Sequence, residues 1–355
     1  MRARRGGRPV GREQHRAFHQ VASGLQEREP VRGHHAQSAH HRGGRLDLRS
    51  DNGRAGRQHH CRGQAGRGSR GGGRRLEFRR SVTVVRILGS GTLLPDASRS
   101  SAAHLVEGEG FRVLLDCGSG TLHGLARHTV AWLGLTHVAV SHYHLDHVGD
   151  LSGLLFALKY AFAGRREEPL TLVGPRGFGE FLDRLGSALG DHVLEPRFPL
   201  SVVELGMGDV LQHGASTLRM RAHPTPHTNE SVAYRVETPD GTVGYTGDTG
   251  PSDALAEFLR GCRVLIGECA LTDPPEMALH LAPSGLSRLA TLADPELLIL
   301  THVYPPTSPA EAAGLVAGHG FGGDIVPGED GLTVFMGPDG LVVGAPSVEA
   351  PTTDV

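Results

Sequence analysis

The stretch Ser141-His142-Tyr143-His144-Leu145-Asp146-His147 sets three imidazoles and one carboxylate within six residues. It directly follows 137–141, a run that reads as a short buried strand. Successive side chains alternate on an extended segment, so His142 and His144 share one side. A turn into the following helical stretch brings Asp146 and His147 round to a second position. Imidazole and carboxylate at this density suit Zn²⁺ or a similar divalent ion.

Two ions need more ligands than one motif supplies. His223, His227, Asp248 (in Gly247-Asp248-Thr249) and His302 (after Leu300-Thr301) stand at the ends of other strand-like runs. Singly, each has an ordinary explanation: Gly-Asp is a common turn, and a strand-end histidine is usually a hydrogen-bonded surface group. With the first cluster they complete a set for two metals.

The elements that must position these groups follow from hydrophobic spacing. Strands are expected at 82–88, 103–107, 111–116, 137–141, 170–173, 218–222, 231–237, 242–246, 264–267, 297–301, 332–336 and 341–343. Glu109-Gly110 marks a hairpin between the second and third. Helices are expected after the glycine-rich exit Asp116-Cys-Gly-Ser-Gly120 to about 127, then at 148–162, 177–189, 252–259 and 283–292. Strands in two clusters with helices interleaved predict a layered α/β domain, two sheets inside helical layers.

The 355 residues carry a formal charge of −2, but that average conceals a split. Residues 1–80 hold 20 Arg, no Lys and six acids, a net of +14, which leaves −16 for residues 81–355. Only nine Val, Leu, Ile or Phe occur in 1–80, too little apolar surface to offset backbone ordering, so a disordered basic extension is expected there. It reads either as a mis-assigned start, as a passive tail, or as an arm for a polyanion. The longest apolar run, 151–163, is interrupted by Lys159 and Tyr160 and is too short to span a membrane. Four cysteines without CxxC spacing suit a reducing compartment, so a cytoplasmic protein is expected.

From about 82 to 335 the chain resembles the metallo-β-lactamase-fold hydrolases, and within them the tRNase Z-like (ribonuclease Z-like) branch. His142-x-His144-x-Asp146-His147 matches the superfamily signature. His227 with Tyr234-Arg235 is similar to the branch's histidine and the strand after it. Gly247-Asp248-Thr249 resembles the segment of the bridging aspartate, and Thr301-His302 that of the last ligand. The turn Leu88-Gly-Ser-Gly-Thr92 and the Asp116-Cys-Gly118 loop also have counterparts.

The resemblance implies an αββα four-layer sandwich spanning 81–345, with 346–355 as a C-terminal tail. It implies one metal on His142, His144 and His227, a second on Asp146, His147 and His302, and Asp248 bridging both. His223 is then left as a surface or supporting group. Two divalent ions, Zn²⁺ first with Mn²⁺ or Fe²⁺ as alternatives, would bind a hydroxide at neutral pH and polarise a phosphoryl oxygen. His280, 22 residues before His302, takes the place of the family's catalytic histidine, with Glu268 able to orient it and Asp146 among the catalytic groups.

Some features depart from tRNA-processing members. Only 21 residues separate His227 from Asp248, enough for a hairpin but not for a protruding tRNA-gripping arm. The loop Pro95-Asp-Ala-Ser-Arg99-Ser100 lacks the family's Lys and Asn. The acidic body disfavours RNA, with a local patch around Arg165 and Arg166 as the exception to look for. The expectation is a phosphodiesterase acting on a small or short phosphodiester, as a possible homodimer and without a membrane partner. The alternatives are tRNA 3′-processing or lactone or ester hydrolysis on the same metals. A nucleic-acid-binding protein with a merely structural metal site is a remote third.

Overall fold

In the strands on both sides of the molecule, alternate residues face two different apolar layers, and that period of two builds the architecture. The computed structural model describes residues 82–161, 166–213 and 218–344. The expectations for 1–80, for Arg165 and for the tail at 346–355 lie outside the described residues.

The first sheet contains β1 (Thr83–Gly89), β2 (Ala103–Gly108), β3 (Phe111–Leu115), β4 (His137–Ala139), β5 (Leu170–Gly174), β6 (Leu200–Glu204), β14 (Thr333–Gly337) and β15 (Gly340–Gly344). Its order is β15-β14-β1-β2-β3-β4-β5-β6. The second contains β7 (Val210–Gln212), β8 (Arg219–Pro224), β9 (Val232–Thr238), β10 (Gly241–Tyr245), β11 (Val264–Glu268), β12 (Leu297–Thr301) and β13 (Asp324–Pro327), in the order β13-β12-β11-β10-β9-β8-β7. Strands β3 to β6 are parallel, as are β10 to β13.

Helices α1 (Thr121–Arg127), α2 (Leu145–Val148), α3 (Leu151–Tyr160) and α4 (Phe178–Leu189) connect strands of the first sheet. Helices α5 (Asp253–Phe258), α6 (Pro283–Ala293) and α7 (Pro309–Gly318) connect parallel strands of the second.

Between the sheets, Val85, Ile87, Val113, Leu115, Ile266 and Ile299 join one core. Their neighbours in the chain turn the other way. Leu88 and Leu114 pack with Leu151 and Leu154 of α3, and Leu265 and Leu298 pack with Leu255 and Leu286. Three apolar layers thus separate helix, sheet, sheet and helix, the αββα sandwich. Strands buried on both faces, such as Leu297–Thr301, read as continuous apolar runs for this reason.

The structure departs from the spacing in two ways. The helix expected over 148–162 divides at Gly149-Asp150 into α2 and α3, because Asp150 turns its carboxylate onto the Gly120 and Leu122 N–H groups that open α1. Phe162 lies outside the described residues. In addition, β6, β7, β13 and α7 form where no element was expected.

Candidate metal centre

Both sheets end their parallel strands at one edge, and the donor residues stand on the loops leaving it. Past β4 the chain stays extended to His144 (φ −65°, ψ 146°), then α2 carries Asp146 and His147 in a single turn. From the second sheet, His227 lies in the β8–β9 loop, Asp248 just past β10, and His302 directly after β12. His302 adopts φ 58°. Gly247 has φ 56°, and a Cβ there would stand 2.9 Å from the Ser141 Cβ, so glycine is required beside Asp248. Gly118 is required for another reason: a Cβ would meet the Asp146 carbonyl oxygen at 2.0 Å.

Asp248 divides its two carboxylate oxygens between two groups. Oδ2 lies 3.7 Å from both His142 Nε2 and His227 Nε2. Oδ1 lies 3.3 Å from His147 Nε2 and 3.6 Å from His302 Nε2. His144 Nδ1 is 3.1 Å from His227 Nε2, and Asp146 Oδ2 is 3.2 Å from His302 Nε2. The set His142, His144, His227 and Asp248 brings its ligand atoms within 4.8 Å of one another, as does the set Asp146, His147 and His302.

The outer hydrogen bonds settle which ring nitrogens carry protons. His227 Nδ1 faces the Leu279 carbonyl at 2.9 Å and therefore donates, leaving a lone pair on Nε2. His147 Nδ1 faces Asp116 Oδ2 at 2.7 Å and donates as well. Ser141 Oγ spends its own proton on Asp116 Oδ2, so it accepts from His142 Nδ1 at 3.0 Å. His142 and His227 thus turn Nε2 lone pairs toward the space around Asp248, and the His147 Nε2 faces the same space.

Burial holds His142 well below the usual histidine range and pushes His227 down to about 4, so both stay neutral at ordinary pH. Burial also lowers His144. Burial would raise Asp146, but His302 and His147 outweigh it and hold the carboxyl at about 2. Asp248 is held well below the carboxylate range against its own burial, chiefly by His302 and His147. His147 is the exception among the imidazoles: burial opposes its charge, yet Asp248 and Asp116 together hold it well above 6.5. In the metal-free protein, its proton stands where a dication would neutralise the same carboxylates.

His280 lies on the loop before α6, with its side chain 16% exposed. Its Nδ1 is 3.0 Å from Glu268 Oε1 and 4.0 Å from Asp248 Oδ2. Glu268 is fixed in turn by the Thr249 N–H at 2.8 Å and the Ala270 N–H at 3.0 Å. Burial would lower His280, but Glu268 and then Asp248 raise it to about 9. The ring is thus a held proton donor beside the donor cluster.

Other residues singled out in the sequence lie elsewhere. His223 bonds the Pro224 carbonyl and packs on Phe258, and it belongs to neither donor set. Tyr234 is buried and donates to the Val140 carbonyl at 2.7 Å. Arg235 donates to the Phe258 and Arg260 carbonyls. Tyr234 thus ties β9 to the segment leaving β4, and Arg235 ties it to the end of α5 and the turn after it. Arg166 forms no surface patch, because its buried guanidinium donates to the carbonyls of Leu133, Leu135 and Pro169. Conversely, sequence reasoning gave no role to Asp116, whose Oδ2 also accepts from Tyr245 Oη at 2.6 Å. Its one signal was its place in the Asp-Cys-Gly loop.

The donor set fits divalent ions. His142 Nε2, His147 Nε2 and Asp248 Oδ1 are buried without a hydrogen-bond partner. Leaving a buried polar atom unsatisfied costs about 1–3 kcal/mol, and cations among these imidazoles and carboxylates, in place of the His147 proton, would satisfy all three.

Comparison with known proteins agrees with the fold. Residues 111–303 match the family described as the beta-lactamase superfamily domain. The chain belongs to that superfamily. Within it the protein is ribonuclease Z-like, a metal-dependent hydrolase: a ribonuclease Z of Mycobacterium sp. (strain KMS) is 29% identical over 250 residues, covering 64% of this chain and 87% of the relative. An uncharacterised protein of Mycobacterium leprae is 35% identical over 240 residues, covering 64% and 80%. Among solved structures, the metallo-beta-lactamase fold protein YhfI from Bacillus subtilis aligns with a TM-score of 0.63 at 24% identity, covering 71% of this chain and 98% of that one.

Proposed function

We propose that residues 81–345 form a binuclear phosphodiesterase, followed by a tail over 346–355. His142, His144 and His227 would hold one ion and Asp146, His147 and His302 the other, with Asp248 offering an oxygen to each group. The observation that carries this reading is the division of the Asp248 carboxylate, one oxygen toward each donor group. Two divalent ions there supply Lewis acidity toward a phosphoryl oxygen and lower the pKa of water. The chain's own residues do the rest. Asp116, Ser141 and the Leu279 carbonyl fix the rings. Glu268 takes the His280 Nδ1–H, leaving Nε2 to deliver a proton to the departing alkoxide.

The substrate is a small or short phosphodiester. The ribonuclease Z relative supports phosphodiester chemistry, whereas the surroundings do not support a grip on tRNA. Between His227 and Asp248 the chain forms only the β9–β10 hairpin, closed by Pro239-Asp240. Arg99, the basic group of the 92–101 loop, is already held by Asp96 and the Val303 carbonyl. Zn²⁺ suits the imidazole and carboxylate donors. A cytoplasmic setting, which the free thiols of Cys117, Cys262 and Cys269 support, and a homodimer complete the reading. Among the described residues, no helix is long and apolar enough to cross a membrane.

The test is metal content per chain together with turnover of bis(p-nitrophenyl) phosphate, a lactone and a pre-tRNA with a 3′ trailer. Two ions and turnover of the small diester alone are expected. Efficient trailer removal would make this a tRNA-maturation enzyme, and lactone turnover alone would move it out of phosphorus chemistry.

A further inference from the structure

His302 leaves β12 with φ 58°, a backbone conformation that a residue with a Cβ adopts only under constraint. In that conformation its ring faces the donor cluster, with Nε2 3.2 Å from Asp146 Oδ2. Two of the restraints on it come from a loop of the other sheet. The His302 N–H donates to the Ser90 carbonyl at 3.0 Å, and the next carbonyl, that of Val303, accepts from the Arg99 guanidinium at 3.0 Å. The 90–100 loop after β1 therefore grips the chain on both sides of the His302 ring.

Both ends of that loop meet one carboxylate that the proposed reaction does not use. Asp330 stands in the turn between β13 and β14, beside Gly331, whose N–H donates to the Ile87 carbonyl at 2.7 Å. Asp330 Oδ1 accepts from the N–H and the hydroxyl of Ser90, at 2.8 and 2.9 Å. Its Oδ2 accepts from the Ser100 N–H at 2.7 Å. Ser90 is 1% exposed, so its two bonds are shielded from water. The Gly91 N–H closes the loop onto the Ser100 carbonyl at 2.7 Å, and Asp96 aims Arg99 by accepting from its Nε at 2.9 Å. One route to His302 thus runs from Asp330 through the Ser90 peptide, and the other through Ser100, Arg99 and the Val303 carbonyl.

We infer that Asp330 is a positioning residue for the second metal group, holding His302 in its ligating conformation through both ends of the 90–100 loop. The inference rests on the reading of His302 as a ligand. The role needs a carboxylate, because every group that faces Asp330 in these bonds is a donor. An amide would turn its own N–H groups on Ser90 or Ser100. The effect should be confined to one ion, since His142 and His227 are fixed instead by Ser141 and the Leu279 carbonyl.

The test is calorimetric titration of the full-length, metal-stripped protein with Zn²⁺, comparing the wild type with Asp330→Asn and Asp240→Asn. Asp240 is the control. At the far end of β1 its Oδ2 accepts from the N–H and the hydroxyl of Thr83, at 2.8 and 2.9 Å, the same pair of bonds in the same sheet. In Asp330→Asn one ion should bind as in the wild type and the other about 10–100-fold more weakly. Asp240→Asn should bind both ions normally, whatever its melting temperature. Imidazole ¹⁵N NMR of Zn²⁺-loaded Asp330→Asn should show the His302 signals displaced and those of His142 and His227 unmoved. Equal weakening of both ions, no weakening, or the same weakening in Asp240→Asn would overturn the inference. Should Asp330→Asn not fold, Ser90→Ala decides, because it removes one of the three bonds and keeps the Ser90 carbonyl. Weakening of one ion alone supports the inference, and two unchanged affinities overturn it. A wild type that binds fewer than two ions would instead overturn the binuclear reading, and this inference with it.

Discussion

Asp116 Oδ2 lies 2.7 Å from His147 Nδ1, and the same oxygen accepts from Ser141 Oγ at 2.8 Å and Tyr245 Oη at 2.6 Å. One carboxylate outside both donor sets therefore orients His147 directly and His142 through Ser141. It joins β3 to β4 and β10, so its reach extends across both sheets. Asp116→Asn would offer fewer acceptor sites and an unwanted donor to these partners. We expect Zn²⁺ affinity to fall about 10–100-fold with the fold retained, measured by chelator competition and circular dichroism.

Removing Asp248 should act differently, because neither group keeps its shared oxygen. Asp248→Ala is expected to bind less than one ion per chain and to lose turnover of the small diester, read by elemental analysis of the purified protein. Chelation of the wild type should also lower its melting temperature. A ligand at about 1,000 times its dissociation constant contributes about 4 kcal/mol to the folded state, and re-addition of metal should restore it.

His280→Ala should leave two ions bound and lower kcat by about 10²–10⁴ on an alkyl-leaving-group diester. The loss should be smaller with p-nitrophenolate, which departs without a proton. Glu268→Gln should give a weaker version of the same pattern. A uniform loss across leaving groups would remove His280 from proton delivery.

The buried His137 on β4 predicts an acid limit to stability. Its Nδ1 lies 2.8 Å from Thr136 Oγ1, and burial, aided by His213, lowers its pKa to about 4. The unfolded chain binds the proton at about 6.5, the folded one only near 4, so the unfolded state gains protons first on acidification. Stability is therefore full above pH 6.5 and is lost as pH falls toward 4, by an amount of order 3 kcal/mol for this group. Urea unfolding across that range should show the slope, and His137→Asn should flatten it.

Much of this was legible in the sequence because the signals were local. His142 to His147 lie within six consecutive residues, and strands such as β11 and β12 are buried throughout. The elements that escaped notice are those whose residues face water or whose cues are brief. β6 and β7 are exposed on most positions, and β13 ends on a proline. α7 opens with a capping box from Ser308 and Glu311, a sequence cue that went unread. The role of Asp116 was not legible for another reason: its partners lie 25, 31 and 129 residues away, so only the packed sheets bring them together. Tyr234 and Arg235 marked the family resemblance without revealing their bonds, which run to the carbonyls of Val140, Phe258 and Arg260.

The seven donors come from both sheets, with His142 to His147 on the first and His227, Asp248 and His302 on the second. During synthesis, neither donor group is whole until late: the first waits for Asp248, and the second for residue 302. The early His142 to His147 segment can hold an ion only weakly and exposed to competing chelators. On the proposed ligand assignment, metal acquisition would therefore fall among the last events in this protein's maturation, after the ribosome has released β12, and a cell short of metal would accumulate chains with a finished core and an unlocked edge.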